Sequence, residues 1–197
     1  MRGIVSCISA LLITFASATA SLAQTVRIAV GAASVAQLPG WTAVEGGYFS
    51  REGLHPELIL ISGGPQTVAA LLGGDVSLAQ VYSQPLLSAK LSGADTVILA
   101  GLINQPLFSV MSVPSVERPH DLKGKRMGIT TYGSASDLAL RLALRKWGLK
   151  AETDVSILQI RGIPEILVAL QSGAIDAGVV SPPTNIRAVK AGFKARR

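Results

Sequence analysis

Cysteine is close to absent: the one residue, Cys7, falls inside an N-terminal leader, and the rest of the 197-residue chain carries none. Disulfides, thiolate catalysis and zinc–cysteine centres are thereby excluded from the body of the protein. Histidine is scarce too. Neither His55 nor His120 has a serine, carboxylate or second histidine at a spacing that builds a triad or a metal site, and both read as surface positions. No Gly-x-Ser-x-Gly, Walker loop or dinucleotide fingerprint occurs, and the carboxylates are scattered, with no close pair placed for acid–base work. Aromatics make up only 5% of residues, and the net charge of +6 forms no dense basic run interleaved with them, so nucleic acid is not an expected partner.

That charge is lopsided. Between the leader and residue 105 there are three basic residues, Arg27, Arg51 and Lys90, against five acidic; from 106 onward there are fourteen against seven. A solvated basic face, attraction for an anionic ligand, or a disturbed C-terminus each accounts for this. The leader itself is clear. Met1-Arg2 precedes an apolar stretch from Ile8 to Ala20 broken only by Ser and Thr, and Ser21-Leu22-Ala23 supplies small residues before Gln24. Residues 1–23 therefore read as a secretory signal cleaved after Ala23, or failing that after Ala20, which would release the chain to the periplasm. Its core is shorter than the roughly 20 apolar residues of a membrane span, and no other segment reaches that length. With 49% hydrophobic residues, the remainder can build one or two modest globular domains.

Beyond the leader, short β-like runs alternate with longer amphipathic stretches. Val26 to Val30 predicts a strand, Trp41 to Phe49 a helix closing at Gly53-Leu54, and Glu57 to Ile61 a strand. A helix follows from about Gln66 to Leu72, then a strand at Val76 to Gln80 and a helix from Pro85 to Leu91. The programme then repeats. Arg126 to Thr130 predicts a strand, Ser134 to Trp147 a long helix closing at Gly148-Leu149, and Val155 to Ile160 a strand; a helix from Pro164 to Gln171, a strand from Ile175 to Val180 and a helix opening at Pro182-Pro183 complete it. The segment Ala70-Leu71-Leu72-Gly73-Gly74-Asp75-Val76-Ser77 answers Ala169-Leu170-Gln171-Ser172-Gly173-Ala174-Ile175-Asp176. This alternation predicts an α/β fold of two lobes, each a mostly parallel sheet flanked by helices. The apolar run from Val97 to Val113, interrupted at Asn104-Gln105-Pro106, is expected to cross between them, giving lobe boundaries at 24–105 and 106–197.

In open α/β sheets, ligands bind beyond the carboxyl ends of the parallel strands, where loops lead into helix N-termini. The matching loops here are Gly31 to Ser34, Ser62 to Gln66, Tyr82 to Gln84, Tyr132 to Asp137, Arg161-Gly162 and Ser181-Pro182. Singly, each has a plainer reading: Ser134 or Ser136 as a helix cap, Gly63-Gly64 as a turn, Asp137 as a complement to the helix dipole. Together, six small polar loops on one edge of two facing lobes predict a cleft for a small polar molecule, with Trp41, Tyr82 and Tyr132 as candidate walls.

Several segments, in order, carry a resemblance. Ala43 through Leu54, Gly63-Gly64 before Val68 through Val76, Asp121 through Ile129, the Gly133-Ser134 turn, and Ala169-Leu170 through Gly173-Ala174-Ile175-Asp176-Ala177 are similar to the nitrate/sulfonate/taurine-type periplasmic binding proteins of ABC importers. The resemblance implies a type II periplasmic binding protein that closes over a sulfonate-, nitrate- or taurine-like or aromatic acid ligand and delivers it, as a monomer without cofactor, to an ABC permease and ATPase complex. It also implies ligand contacts at Ser34, Gly64, Gln66, Gln80, Tyr82, Ser83, Ser134, Ser136, Asp137 and Ser181. Such proteins continue for roughly a hundred residues beyond the equivalent of Gly192, so the ending at Arg197 is expected to be a truncation, and a non-functional remnant is one alternative. The other is an enzyme. Related fungal proteins use this fold to make the thiamine pyrimidine, consuming a histidine and lysine-bound pyridoxal phosphate.

Overall fold

The computed structural model describes residues 24–196. The expected signal sequence and cleavage site, with Cys7, lie outside the described residues. The chain forms two sheets with parallel strands at their core, joined by helices.

The first sheet has the order β2-β1-β3, all parallel, from β1 (Gln24–Val30), β2 (Leu54–Leu60) and β3 (Leu78–Gln80). Burial in β1 concentrates at its carboxyl end, Ile28 to Val30, which is where the chain leaves for the cleft. Helix α1 (Leu38–Glu45) and α2 (Tyr48–Arg51) stand where the sequence predicts one helix. The division falls at Gly46-Gly47, because Gly47 takes a left-handed φ of 67° that a continuing helix cannot hold. Helices α3 (Gly64–Leu72) and α4 (Ser83–Leu91) complete this lobe.

The second sheet has five strands in the order β6-β5-β7-β4-β8, made of β4 (Ser109–Ser112), β5 (Arg126–Ile129), β6 (Ser156–Gln159), β7 (Ala177–Val180) and β8 (Lys194–Arg196). Strands β6, β5 and β7 are parallel, whereas β4 runs antiparallel to both its neighbours. Strand alternation sends Val110 and Val179 to one face, under α5 (Ala135–Lys146), and Met111 and Val180 to the other, under α6 (Ile163–Gln171) and α7 (Thr184–Lys190). Leu140, Leu144, Met127 and Ile129 close the first face, and Ile166, Ile175 and Ala188 the second; all are fully buried.

The two halves repeat one another at the level of single hydrogen bonds. The Ser77 amide donates to the Arg27 carbonyl and the Asp176 amide to the Arg126 carbonyl, both at about 3 Å. At the second position the contact gains an ion pair. The Arg126 guanidinium donates to both Asp176 oxygens at 3.1 and 3.2 Å and to the Gly173 carbonyl, which ties β5 to the turn before β7. That side chain holds the Asp176 carboxyl below the usual carboxylate range. A depressed folded pKa means stability present above the unfolded value near 4 and lost as pH falls through the folded one. Asp176→Asn should therefore cost about 1 kcal/mol at pH 7, a figure limited by the half-exposed guanidinium, with the deficit persisting to about pH 4 and fading below it. Urea midpoints at pH 7 and pH 3 check this.

The segment expected to cross between lobes as an interrupted strand is irregular up to Phe108, and strand pairing starts only at Ser109. Val97, Ile98, Leu99 and Leu102 consequently lie more than half exposed. Such a contiguous apolar surface favours self-association. Replacing Val97 and Leu99 together by lysine should raise the soluble yield and reduce light scattering at high concentration, with the unfolding midpoint unchanged.

Candidate ligand-binding cleft

The carboxyl ends of both parallel sheets face one another, and their loops enclose a narrow space of about 30 Å³ lined by Gly31, Ser34, Gln37, Gly64, Tyr82, Phe108, Thr130, Ser134, Ser136, Ile163 and Ser181, among others. Among the described residues, no charged side chain lines it.

On the first lobe, Ser34 caps a short 3-10 turn over Val35–Gln37 by accepting from the Ala36 amide at 3.3 Å. This turn buries Gln37 and points its amide oxygen into a place where nothing donates to it. Gly64 opens α3 where a Cβ would stand 2.5 Å from Pro85 Cγ, so only glycine lets the start of α4 close in. Tyr82 precedes α4 and stacks its ring at 5.2 Å from that of Phe108. Its hydroxyl is buried without a hydrogen-bond partner. Burial raises the phenol pKa, and the nearby Leu107 amide, which does not reach hydrogen-bond geometry, offsets only part of that.

On the second lobe, three hydroxyls form a closed triangle at the N-terminus of α5. Thr130 Oγ1 donates to Ser134 Oγ at 2.9 Å and lies 2.8 Å from Ser136 Oγ, and the two serine oxygens are 2.9 Å apart. Ser134 is also the helix cap, accepting from the Asp137 amide, so the capping reading and the cleft reading both hold for this residue. Across the cleft, Ser181 Oγ donates to Ser34 Oγ at 2.9 Å and the Val35 amide donates to the Pro182 carbonyl at 3.0 Å. The lobes are latched.

Of the ten residues expected to contact ligand, Ser34, Gly64, Tyr82, Ser134, Ser136 and Ser181 line this space. The other four are placed elsewhere. Gln80 spends its amide on the Gly40 N–H and the Ala36 carbonyl, bracing the turn that carries Gln37. Asp137 accepts from the Gly133 amide and pairs with Arg141, which also reaches Glu152. Gln66 and Ser83 are exposed, in the first turns of α3 and α4. Two of the three aromatic wall candidates also fall outside: Trp41 lies on α1, and Tyr132 donates its hydroxyl to the Ile157 carbonyl. His55 and His120 are exposed and line no part of the cleft. Sequence reasoning missed Gln37, Phe108 and Thr130. Thr130 alone gave a signal, as the last residue of a predicted strand.

Comparison with known proteins agrees with this architecture. The chain is 31% identical over 144 residues to a protein of Brucella abortus (strain 2308) provisionally named a binding protein, covering 72% of this chain and 43% of that one. It is 30% identical over 145 residues to the 4-amino-5-hydroxymethyl-2-methylpyrimidine phosphate synthase of Schizosaccharomyces pombe, covering 72% and 40%. The chain thus spans less than half the length of these curated relatives. The periplasmic aliphatic sulphonate binding protein SsuA of Escherichia coli superposes with a TM-score of 0.64 at 22% identity, over 87% of this chain and 59% of that one, and so shares the two-lobed periplasmic binding protein fold. Residues 37–192 match a single family, and the chain belongs to it: the NMT1/THI5 like family.

Proposed function

We propose that this chain is the solute-binding component of an ABC importer, exported to the periplasm, and that its cleft takes a small organic molecule with an anionic head. The single observation that carries this reading is a pair of buried, unpartnered polar atoms on residues that line the cleft, Gln37 Oε1 and the Tyr82 hydroxyl. A buried polar group without a partner costs about 1–3 kcal/mol, and a ligand that supplies the partner removes that cost. The anionic head belongs at the start of α5, where first-turn N–H groups, the helix dipole and the hydroxyl triangle favour negative charge without any basic side chain. Phe108 and Ile163 offer apolar wall to the ligand body. An aliphatic sulfonate of the kind named for the Escherichia coli protein fits this description.

The test is a thermal-shift and calorimetric panel of taurine, alkanesulfonates, nitrate and aromatic carboxylates on the protein ending its leader at Ala23. A saturable rise in melting temperature with at least one of them supports the reading; a folded sample that responds to none overturns it. N-terminal sequencing of the exported chain should begin at Gln24. The Schizosaccharomyces pombe relative favours a second reading, an enzyme of pyrimidine synthesis. A pyridoxal phosphate absorbance that survives purification would favour that one, although the cleft lining offers neither a lysine to hold it nor a histidine to donate atoms.

A further inference from the structure

Between α5 and the second sheet lies a second cavity of about 180 Å³. A half-buried flank of the helix lines it. Ala139, Ala143 and Trp147 recur every four residues, and the two small side chains leave unfilled the space that leucines would occupy. Val110 and Val179 form the floor and Phe108 one wall. Phe108 also lines the cleft, so the two spaces share that ring and nothing else.

Among the described residues two charged side chains line this cavity, and both are cations: Lys146 and Arg196. Arg196 sits opposite Val110 in the β4–β8 pairing. Its Nε donates to Ser112 Oγ at 2.7 Å and Nη1 to the Glu117 carbonyl at 2.8 Å. Nη2 is buried and has no partner. Neither cation forms an ion pair with a carboxylate among the described residues. Asp121 feels Arg196 at longer range, but its Oδ2 accepts from the Glu117 and Arg118 amides and its Oδ1 faces Arg118 Nη2 at 3.9 Å. An apolar chamber with an unmet guanidinium N–H is therefore the complement of an amphipathic anion.

We propose that this cavity binds a small aromatic monocarboxylate, its ring among Phe108, Ala139, Ala143 and Trp147 and its carboxylate on Arg196 and Lys146. The volume sets the class. An engineered apolar cavity of about 150 Å³ holds benzene, so about 180 Å³ accommodates a benzoate-sized body. This site is independent of the interlobe cleft and of the ligand proposed there.

The experiment is titration calorimetry of the full chain with benzoate, cyclohexanecarboxylate and the neutral benzamide. Benzoate should bind saturably and benzamide at least tenfold more weakly. Arg196→Met keeps the bulk of the side chain and removes the guanidinium, and should weaken benzoate at least tenfold; Ala143→Leu fills the chamber and should abolish binding. Circular dichroism establishes that each variant is folded, and if Ala143→Leu is not, Arg196→Met and benzamide decide. No saturable benzoate binding, or equal affinity for wild type and Arg196→Met, overturns the proposal. So does loss of benzoate binding in Ser134→Ala with retention in Arg196→Met, which would place the acid in the cleft.

Discussion

Tyr82→Phe and Gln37→Met should each move two measurements in opposite directions, raising the melting temperature of the ligand-free protein while lowering ligand affinity at least tenfold. The reason is the state of the atoms they remove. The Tyr82 hydroxyl and the Gln37 amide oxygen are buried and unpartnered in the empty cleft. Deleting a buried polar group that makes no hydrogen bond is neutral or stabilising, by up to about 1–2 kcal/mol. Deleting it from the liganded state instead removes a bond, and each 1.4 kcal/mol so lost is a factor of ten in affinity. A residue that merely packs would lower both quantities or neither. Calorimetry with whichever anion shifts the wild-type melting curve, run beside scanning calorimetry of the empty variants, separates the cases. Unchanged affinity in both variants would remove these two residues from the site.

The largest loss of stability is expected at the contact between α6 and the second sheet. Gly128 and Gly178 face each other across β5 and β7. A Cβ on Gly178 would lie 2.4 Å from Ile166 Cγ2, and one on Gly128 would lie 2.6 Å from Ile175 Cδ1. Both isoleucines are fully buried, so neither has room to retreat. Gly178→Ala should cost about 1–3 kcal/mol through overpacking, and Ile166→Ala about 2–5 kcal/mol through the cavity it leaves. The two defects are complementary. A methyl added at 178 enters the space vacated at 166, so the double variant should be more stable than the sum of the singles by about 0.5–3 kcal/mol. Urea unfolding with unchanged slopes gives all three values. Strict additivity would mean that the helix shifts away from the sheet instead of holding its place.

The repeated strand–helix programme was legible because it rests on apolar periodicity, which sequence displays directly: each predicted strand and helix has a counterpart in the structure. What escaped was decided at longer range. The three residues of β8 carry two charges and no apolar alternation, and they form a strand only because β4 offers a free edge. Gln80 ends β3 and Asp137 lies in the first turn of α5, close to residues that line the cleft, yet their polar atoms are consumed by Ala36, Gly40, Gly133 and Arg141. The partners of Gln80, 40 and 44 residues away, cannot be read from local spacing, whereas those of Asp137 lie four residues to either side. Phe108 went unnoticed for the converse reason: one aromatic in an apolar run gives no sign that the closing of two lobes will set it against Tyr82. Serines at helix starts were the most legible feature, since capping and ligand contact demand the same hydroxyl at the same place.

The latch between Ser34 and Ser181 closes the cleft onto about 30 Å³, room for a water or two and for no organic anion. On the proposed solute-binding reading, an incoming solute would meet a gate that thermal motion must first unfasten, and its apparent affinity would be the intrinsic one scaled by the fraction of time the gate stands open. Capture would then have a ceiling: as solute concentration rises, the observed binding rate would climb only to the opening rate of the latch, which two serine hydroxyls and one backbone amide set.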